Sequence, residues 1–297
     1  MQDMSPHEAF DRYETLRPRL PDAGPQGAGV ALTSLADMQD HVDAFVFDAY
    51  GVLNVGDTPI EGAFQRIHAL RAAGKEVLVL TNAASFNRAQ TEAKFKGLGF
   101  DFAPHEIISS REVCEARLPA EGLWGVMAPD GFDANDLPVR AVALDDNPEI
   151  YGRVEGFLLL SSATWTPGRQ AMLMASLTQV PRPVIVANPD LVAPRETGLS
   201  LEPGFFAQEL QDKLNLQAQF HGKPFPSVYE EVEARLPGIA PDRIAMVGDT
   251  LHTDVLGAQS RSWHSVLVTD HGLFAGLDVD GFIAKSGIKP DWIVPSI

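Results

Sequence analysis

From Asp43 onward, short apolar runs alternate with amphipathic stretches, the pattern left by buried parallel strands and the helices that connect them. The run at 44–47 is the first strand. In EGAFQRIHALRAAG, Ala63, Ile67 and Leu70 fall on one helical face and Gly74 is placed to end the helix; EVLVL then supplies a second strand. A further helix, roughly Arg88 to Leu98, stops at Gly99 and leads to EIIS as a third strand. Near the other end, RIAMVGD, SVLVTD and DWIVPS repeat the strand signal.

Between these blocks lie LWGVMAP, AVALDD, GFLLLS and VIVANP, with a helix opening at the cap and first-turn pair Thr166 and Pro167. The flanking blocks already complete a sheet of ordinary size, so these four runs are expected to form an inserted domain of their own. The expected architecture is α/β: a Rossmann-like parallel-sheet core from 41–110 and 217–297, and an α/β cap at about 111–216. Residues 1–40 are expected to be a helical arm followed by a spacer, PDAGPQGAG, rather than a core element, with no chemistry assigned.

Composition narrows the partners. The chain has 40 acidic against 23 basic residues, a formal charge of -17. Such a surface repels nucleic acid and anionic membranes, so a small anionic substrate needs a local positive site. The opening lacks the basic and apolar stretches of a signal peptide, and no run approaches membrane length. Cys114 is the only cysteine, which excludes a disulfide within the chain and fits a reducing, cytoplasmic setting.

Four segments point to one site. In FVFDAYGVLN the apolar run ends on Asp48 and turns at Gly51, which presents a carboxylate at the carboxyl end of a strand, where open α/β sheets bind ligands. VLVLTNAAS ends on Thr81 and Asn82, donors of the kind that hold phosphate, with a helix N-terminus expected just beyond. IAMVGDTLHTD ends on Asp249, with Asp254 after a short loop. Asp48, Asp249 and Asp254 together would hold a hard cation through oxygen, which favours Mg²⁺. In FHGKPFPSVYEEVEARL, Lys223 stands ahead of a helix, within reach as a point charge. A strand-ending Asp is by itself often only a turn former; the four segments in this order are what mark a site.

In that order, and with PIEGA, KFKGLGF, ANPDL and PDWIVPSI around them, these segments make the chain resemble the haloacid dehalogenase (HAD) superfamily and, within it, subclass IIA, the nitrophenylphosphatase and sugar phosphatase branch. The likeness spans roughly 43–297. It implies in-line attack of Asp48 on phosphorus, an aspartyl-phosphate intermediate and its hydrolysis by water. It further implies Mg²⁺ held by Asp48, the Tyr50 carbonyl, Asp249 and Asp254, with Asp254 in direct contact or just outside it. Thr81 and Asn82 would bind the phosphoryl oxygens, and Lys223 would neutralise the nucleophile and the phosphoryl group. The partner implied is a small phosphorylated metabolite, with pairing of two caps into a homodimer left open.

One position departs from the family. Its phosphatases carry a second aspartate two residues after the nucleophile as the general acid and base; here that residue is Tyr50. A phenol of pKa about 10 can donate a proton but is a poor base at neutral pH. Hydrolysis of a phosphate ester ranks first. A protein that binds phosphometabolites with weakened turnover ranks second. A haloacid dehalogenase, whose similar DAYG motif has tyrosine here, ranks third, because the paired acids Asp249 and Asp254 are retained. His252 could supply the missing proton transfer or be an ordinary loop residue. Asn188 and Asp190 match a cap motif of the subclass and either face the substrate or shape the turn, while Arg195 and Trp165 are candidates for substrate selection.

Overall fold

The computed structural model describes residues 4–195 and 198–297. Seven parallel strands form the larger sheet, in the order Val30–Ala31, Trp292–Val294, His264–Val268, Ile244–Gly248, Ala44–Phe47, Glu76–Thr81 and Ile107–Ser109. Alternation within one strand feeds both faces. Phe45 and Phe47 pack with Ile67, Leu70 and Phe95 on one side, and Ala44 and Val46 pack with Val228, Val232 and Met246 on the other. Both faces are covered, which is why these strands read as continuous apolar runs.

The order contains a reversal. From Ala44–Phe47 the chain proceeds outward through Glu76–Thr81 to Ile107–Ser109, then returns at Ile244–Gly248 on the opposite flank and proceeds the other way. The carboxyl ends of Ala44–Phe47 and Ile244–Gly248 therefore border the switch point, the crevice where open parallel sheets bind ligands. They are in register, Val247 opposite Phe47, so Asp48 and Asp249 emerge side by side.

The four middle runs form a second parallel sheet with a short fifth strand: Gln219–Phe220, Val184–Val186, Gly156–Leu159, Leu123–Met127 and Arg140–Ala143. Its two faces have separate cores, one around Phe157, Leu159 and Trp165 and one around Trp124, Leu158 and Ile185. The helix Pro167–Gln179 starts where expected, with the Thr166 side chain accepting the Arg169 N–H at 3.2 Å. Gln219–Phe220 lies past the expected cap boundary at 216, and the helix Ser110–Glu115, next to 111, is partly buried against the larger sheet through Val113. An antiparallel hairpin, Val192–Arg195 with Gly198–Leu201, projects between the two sheets.

The first 40 residues correct the expectation of an arm and spacer. Residues 1–3 lie outside the described part, but helix α1, Pro6–Leu16, buries Phe10, Tyr13 and Leu16 against Leu251, Phe274 and Phe282. The Gly-rich stretch then lies along the final strand: the N–H groups of Gly27 and Gly29 bond the carbonyls of Lys289 and Pro290 at 2.8 Å, and Val30–Ala31 joins the sheet as its edge. Backbone pairing of this kind needs no side-chain pattern, so nothing in PDAGPQGAG announces it. No helix among the described residues is long and apolar enough to cross a membrane.

Candidate active site

Asp48 follows the last residue of its strand, and its N–H still bonds the Val247 carbonyl at 2.9 Å, so the sheet fixes its backbone. The turn that follows needs a glycine: Gly51 has φ +80°, and a Cβ there would meet the Asp249 carboxylate at 2.7 Å. Lys223, buried at 1% exposure, bonds Asp48 Oδ1 at 2.6 Å and Asp254 Oδ1 at 2.7 Å. The Ala49 N–H also bonds Oδ1, which leaves Oδ2 of Asp48 without a hydrogen-bond partner among the described residues.

Asp249 accepts the Leu273 N–H at 2.8 Å and the Thr250 hydroxyl at 3.1 Å. Residues Leu251–Val255 then make one wide π-helical turn that returns Asp254 under the strand end, where its Oδ2 accepts the Thr250 N–H at 3.1 Å. The outcome is that carboxylate oxygens of Asp48, Asp249 and Asp254 all lie within 4.8 Å of one another.

The electrostatics follow from burial and crowding. Burial works to lower Lys223, yet Asp254 and Asp48 outweigh it and hold the ammonium above its ordinary value. Burial pushes Asp48 up to about 6, opposed by Lys223 and assisted by Asp254. Burial, then the charges of Asp254 and Asp48, drive Asp249 well above the usual carboxylate range. One ammonium does not balance three carboxylates, and a divalent cation would. An all-oxygen donor set of this charge and spacing fits a hard ion such as Mg²⁺.

The remaining expected residues converge, Trp165 and His252 excepted. Thr81 is buried at its strand end, its hydroxyl accepting the Ala83 N–H at 3.2 Å. The Asn82 amide is engaged on both sides, its Oδ1 by the Lys223 N–H at 2.7 Å and its Nδ2 by Asp190 Oδ1 at 2.8 Å, so this side chain braces the lysine loop instead of reaching outward. Gly222, φ +136°, lets that loop pass Pro189, which a Cβ would meet at 2.4 Å. The helix expected at roughly Arg88 to Leu98 spans Arg88–Gly97, capped by Asn87, so a loop of residues 83–87 separates its N-terminus from Asn82.

A cavity of about 570 Å³ opens above the cluster, and Asp48, Tyr50, Thr81, Asp190, Arg195 and Asp249 are on its wall. Asn188 shapes the turn, its Oδ1 accepting the Asp190 N–H at 3.0 Å, and also donates to Glu202. Burial pushes Asp190 up to about 8 against the pull of Lys223 and the Asn82 hydrogen bond. Tyr50 turns its hydroxyl to Lys94, which donates to it at 2.5 Å, and the Arg195 guanidinium lies 5.7 Å from its ring centre. Trp165 is core, donating to Gln170 at 2.9 Å.

His252 is the second exception. It is fully buried, bonded through Nε2 to Glu14 at 2.5 Å, stacked on Tyr13 and absent from the cavity wall. Its place in the fourth segment gave it proximity in sequence, but the π turn points it into the packing of α1. Among the wall residues given no role from the sequence are Tyr13, from a helix assigned no chemistry, and Lys94, which opens the KFKGLGF segment on an amphipathic helix.

With this geometry in place, comparison with known proteins gives one answer. A haloacid dehalogenase-like hydrolase family model matches residues 45–133 and a HAD-hydrolase-like model matches 220–297, ranges that carry the strands of the larger sheet other than its edge Val30–Ala31, the first also reaching Leu123–Met127 of the second sheet. The chain belongs to the haloacid dehalogenase superfamily. Human glycerol-3-phosphate phosphatase is 28% identical over 86% of this chain and 89% of its own length. Bovine chronophin is 26% identical over 89% of this chain and 94% of its own. Among solved structures, a HAD-superfamily "possible sugar phosphatase" from Cytophaga hutchinsonii superposes with a TM-score of 0.78 at 25% identity, covering 90% of this chain and 98% of that one. These similarities place the chain with the phosphatases of subclass IIA in the HAD superfamily.

Proposed function

We propose that this HAD protein is a Mg²⁺-dependent phosphatase that hydrolyses a small phosphate ester through an aspartyl-phosphate on Asp48. The observation that carries the reading is the arrangement at the switch point: a carboxylate with one oxygen held by Lys223 and the Ala49 N–H, beside two further buried acids. Asp48 attacks phosphorus in line, the P–O bond to the leaving group breaks, and the leaving oxygen takes up a proton. Water then attacks the phosphorus of the acyl phosphate, releasing inorganic phosphate and restoring the carboxylate. Lys223 offsets charge on the nucleophile and the phosphoryl oxygens, and Thr81 orients them. Asp48, Asp249, Asp254 and the Tyr50 carbonyl would hold Mg²⁺, whose chemistry when bound is to neutralise charge on the transferring group.

The second sheet with its hairpin acts in this reading as the cap, bringing Asn188, Asp190 and Arg195 over the nucleophile. The single, buried Cys114 supports a reducing, cytoplasmic setting. Assay of aryl phosphates, glycerol and sugar phosphates and 2-haloacids, each with Mg²⁺ and with chelator, tests the proposal. Phosphate release that chelator abolishes is the expected result. Metal-independent halide release would replace the reading with a dehalogenase, and binding of Mg²⁺ and phosphate without turnover of any ester would replace it with a binding protein, the outcome that Tyr50 in the acid position motivates.

A further inference from the structure

Helix α1 reaches the reaction cavity. Tyr13, only 3% exposed, is on the same wall as Asp48, Asp190 and Asp249. Its phenol oxygen accepts the N–H of Leu191, the residue after Asp190, at 3.1 Å. Its ring stacks on His252, centroids 5.0 Å apart and planes 8° from parallel, within the turn that carries Asp254. One side chain thus touches the loop that presents Asp190 and the turn that presents the acid cluster.

The helix that carries it is fastened on both sides. Arg12 and Arg19 bind Asp212, the latter at 2.7 Å, on the helix Pro203–Leu214 that packs on the second sheet. Phe10 packs on Phe282 at 4.7 Å, and Lys285 bonds Asp11 at 2.5 Å, on the side of the larger sheet. Glu14, next to Tyr13, holds His252 in the stack.

We propose that Tyr13 is a substrate-positioning residue: through it α1 fixes the Asn188–Leu191 loop over Asp48 and forms part of the wall against which the phosphate ester rests. This rests on the phosphatase reading. The physical advantage is that the cavity's roof is held before substrate arrives, so binding does not have to order a loop. Tyrosine suits the place because its rigid ring fills the wall while its neutral hydroxyl caps a buried amide. Burial, with Asp190 adding, keeps that phenol protonated, so no charge is set against the neighbouring acids.

The test compares Y13A, Y13F and the double variant R12A/R19A with wild type on p-nitrophenyl phosphate and glycerol phosphate with Mg²⁺, recording kcat, KM, Tm and hydrogen exchange of the peptide around Leu191. Expected are a rise in KM of about tenfold in Y13A, the size of one lost hydrogen bond with its packing, and of two- to fourfold in Y13F. Exchange at Leu191 should quicken in both, and R12A/R19A should raise KM with Tyr13 intact. Unchanged KM together with a fall in kcat proportional to the folded fraction would make Tyr13 merely structural and overturn the inference. Should Y13A not fold, Y13F and R12A/R19A decide the question alone, and wild-type KM and exchange in both would overturn it. A wild type inactive on every ester removes the phosphatase reading and the inference with it, whereas an active wild type with unaltered variants removes the inference only.

Discussion

At one end of the cavity, Asp48, Lys223, Asp249 and Asp254 bond to one another and to backbone N–H groups at 2.6–3.1 Å, in a region Lys223 shares with almost no water. At the other end, Tyr50, Lys94 and Arg195 meet across contacts of 2.5–5.7 Å, and the Arg195 side chain is 41% exposed and paired to Glu202. In the first set, Asp48 and Asp249 stand on strand ends of the larger sheet and Asp254 on a turn bonded back to it, while Lys223 comes from the loop after Gln219–Phe220, pinned by Asn82. The second is drawn from a loop, a helix face and a hairpin. Phosphoryl transfer needs charge fixed in place before reaction, which strand ends supply. Leaving groups differ among substrates, and side chains on a helix face and a hairpin can vary without disturbing the charge cluster.

The sharpest way to break this contrast is at Asp48. D48N keeps the shape and removes the nucleophile, so kcat should fall on the order of 10⁴-fold for every ester, whatever the leaving group. Mass spectrometry after fluoroberyllate trapping should find the adduct on Asp48 in wild type and nowhere in the variant. A loss that depends on leaving-group pKa would show that the two ends do not divide the work as described.

Tyr50 probes the other end. Because a phenol hydrogen-bonded to Lys94 occupies the usual acid position, alkyl phosphates should turn over slowly compared with aryl phosphates. Y50D should raise kcat for alkyl phosphates by about ten- to a hundredfold and change aryl phosphates much less. Equal effects on both classes would place the proton donor elsewhere.

The smallest effect is expected where the two ends join. Asp190 titrates at 3.8 in an unfolded chain and is raised to about 8 in the folded protein. Below about pH 4 both states hold the proton. Between pH 4 and pH 8 only the unfolded chain ionises, so the folded state loses stability as pH rises, and above 8 the loss is complete. D190N cannot ionise. Its Tm relative to wild type, measured in chelator, should therefore improve by a few degrees between pH 5 and pH 8. A difference that shrinks over that range would mean that Asp190 is ionised in the folded protein.

Much of this was legible in the chain because the chemistry sits next to the strand signal. Apolar runs that stop on Asp48, Thr81 and Asp249 announce at once a buried strand and the polar group at its end. His252 was left open between proton transfer and an ordinary loop residue for the same reason, since adjacency in sequence to Asp249 and Asp254 does not specify which way a π turn aims a side chain. Lys94 was given no role, as a lysine on an amphipathic helix looks like any solvated charge.

The sequence by itself determined the parallel strands, the order of the four polar segments and the oxygen-rich donor set, all of which depend on neighbours a few residues apart. Only the tertiary structure decided that residues 27–31 complete the sheet edge, that Asn82 braces Lys223, and that Tyr13 and Asp190 meet at one wall from positions more than 170 residues apart. The physical reason is that backbone pairing and long-range packing join groups through space, and local periodicity records which face a residue presents but not what lies opposite it.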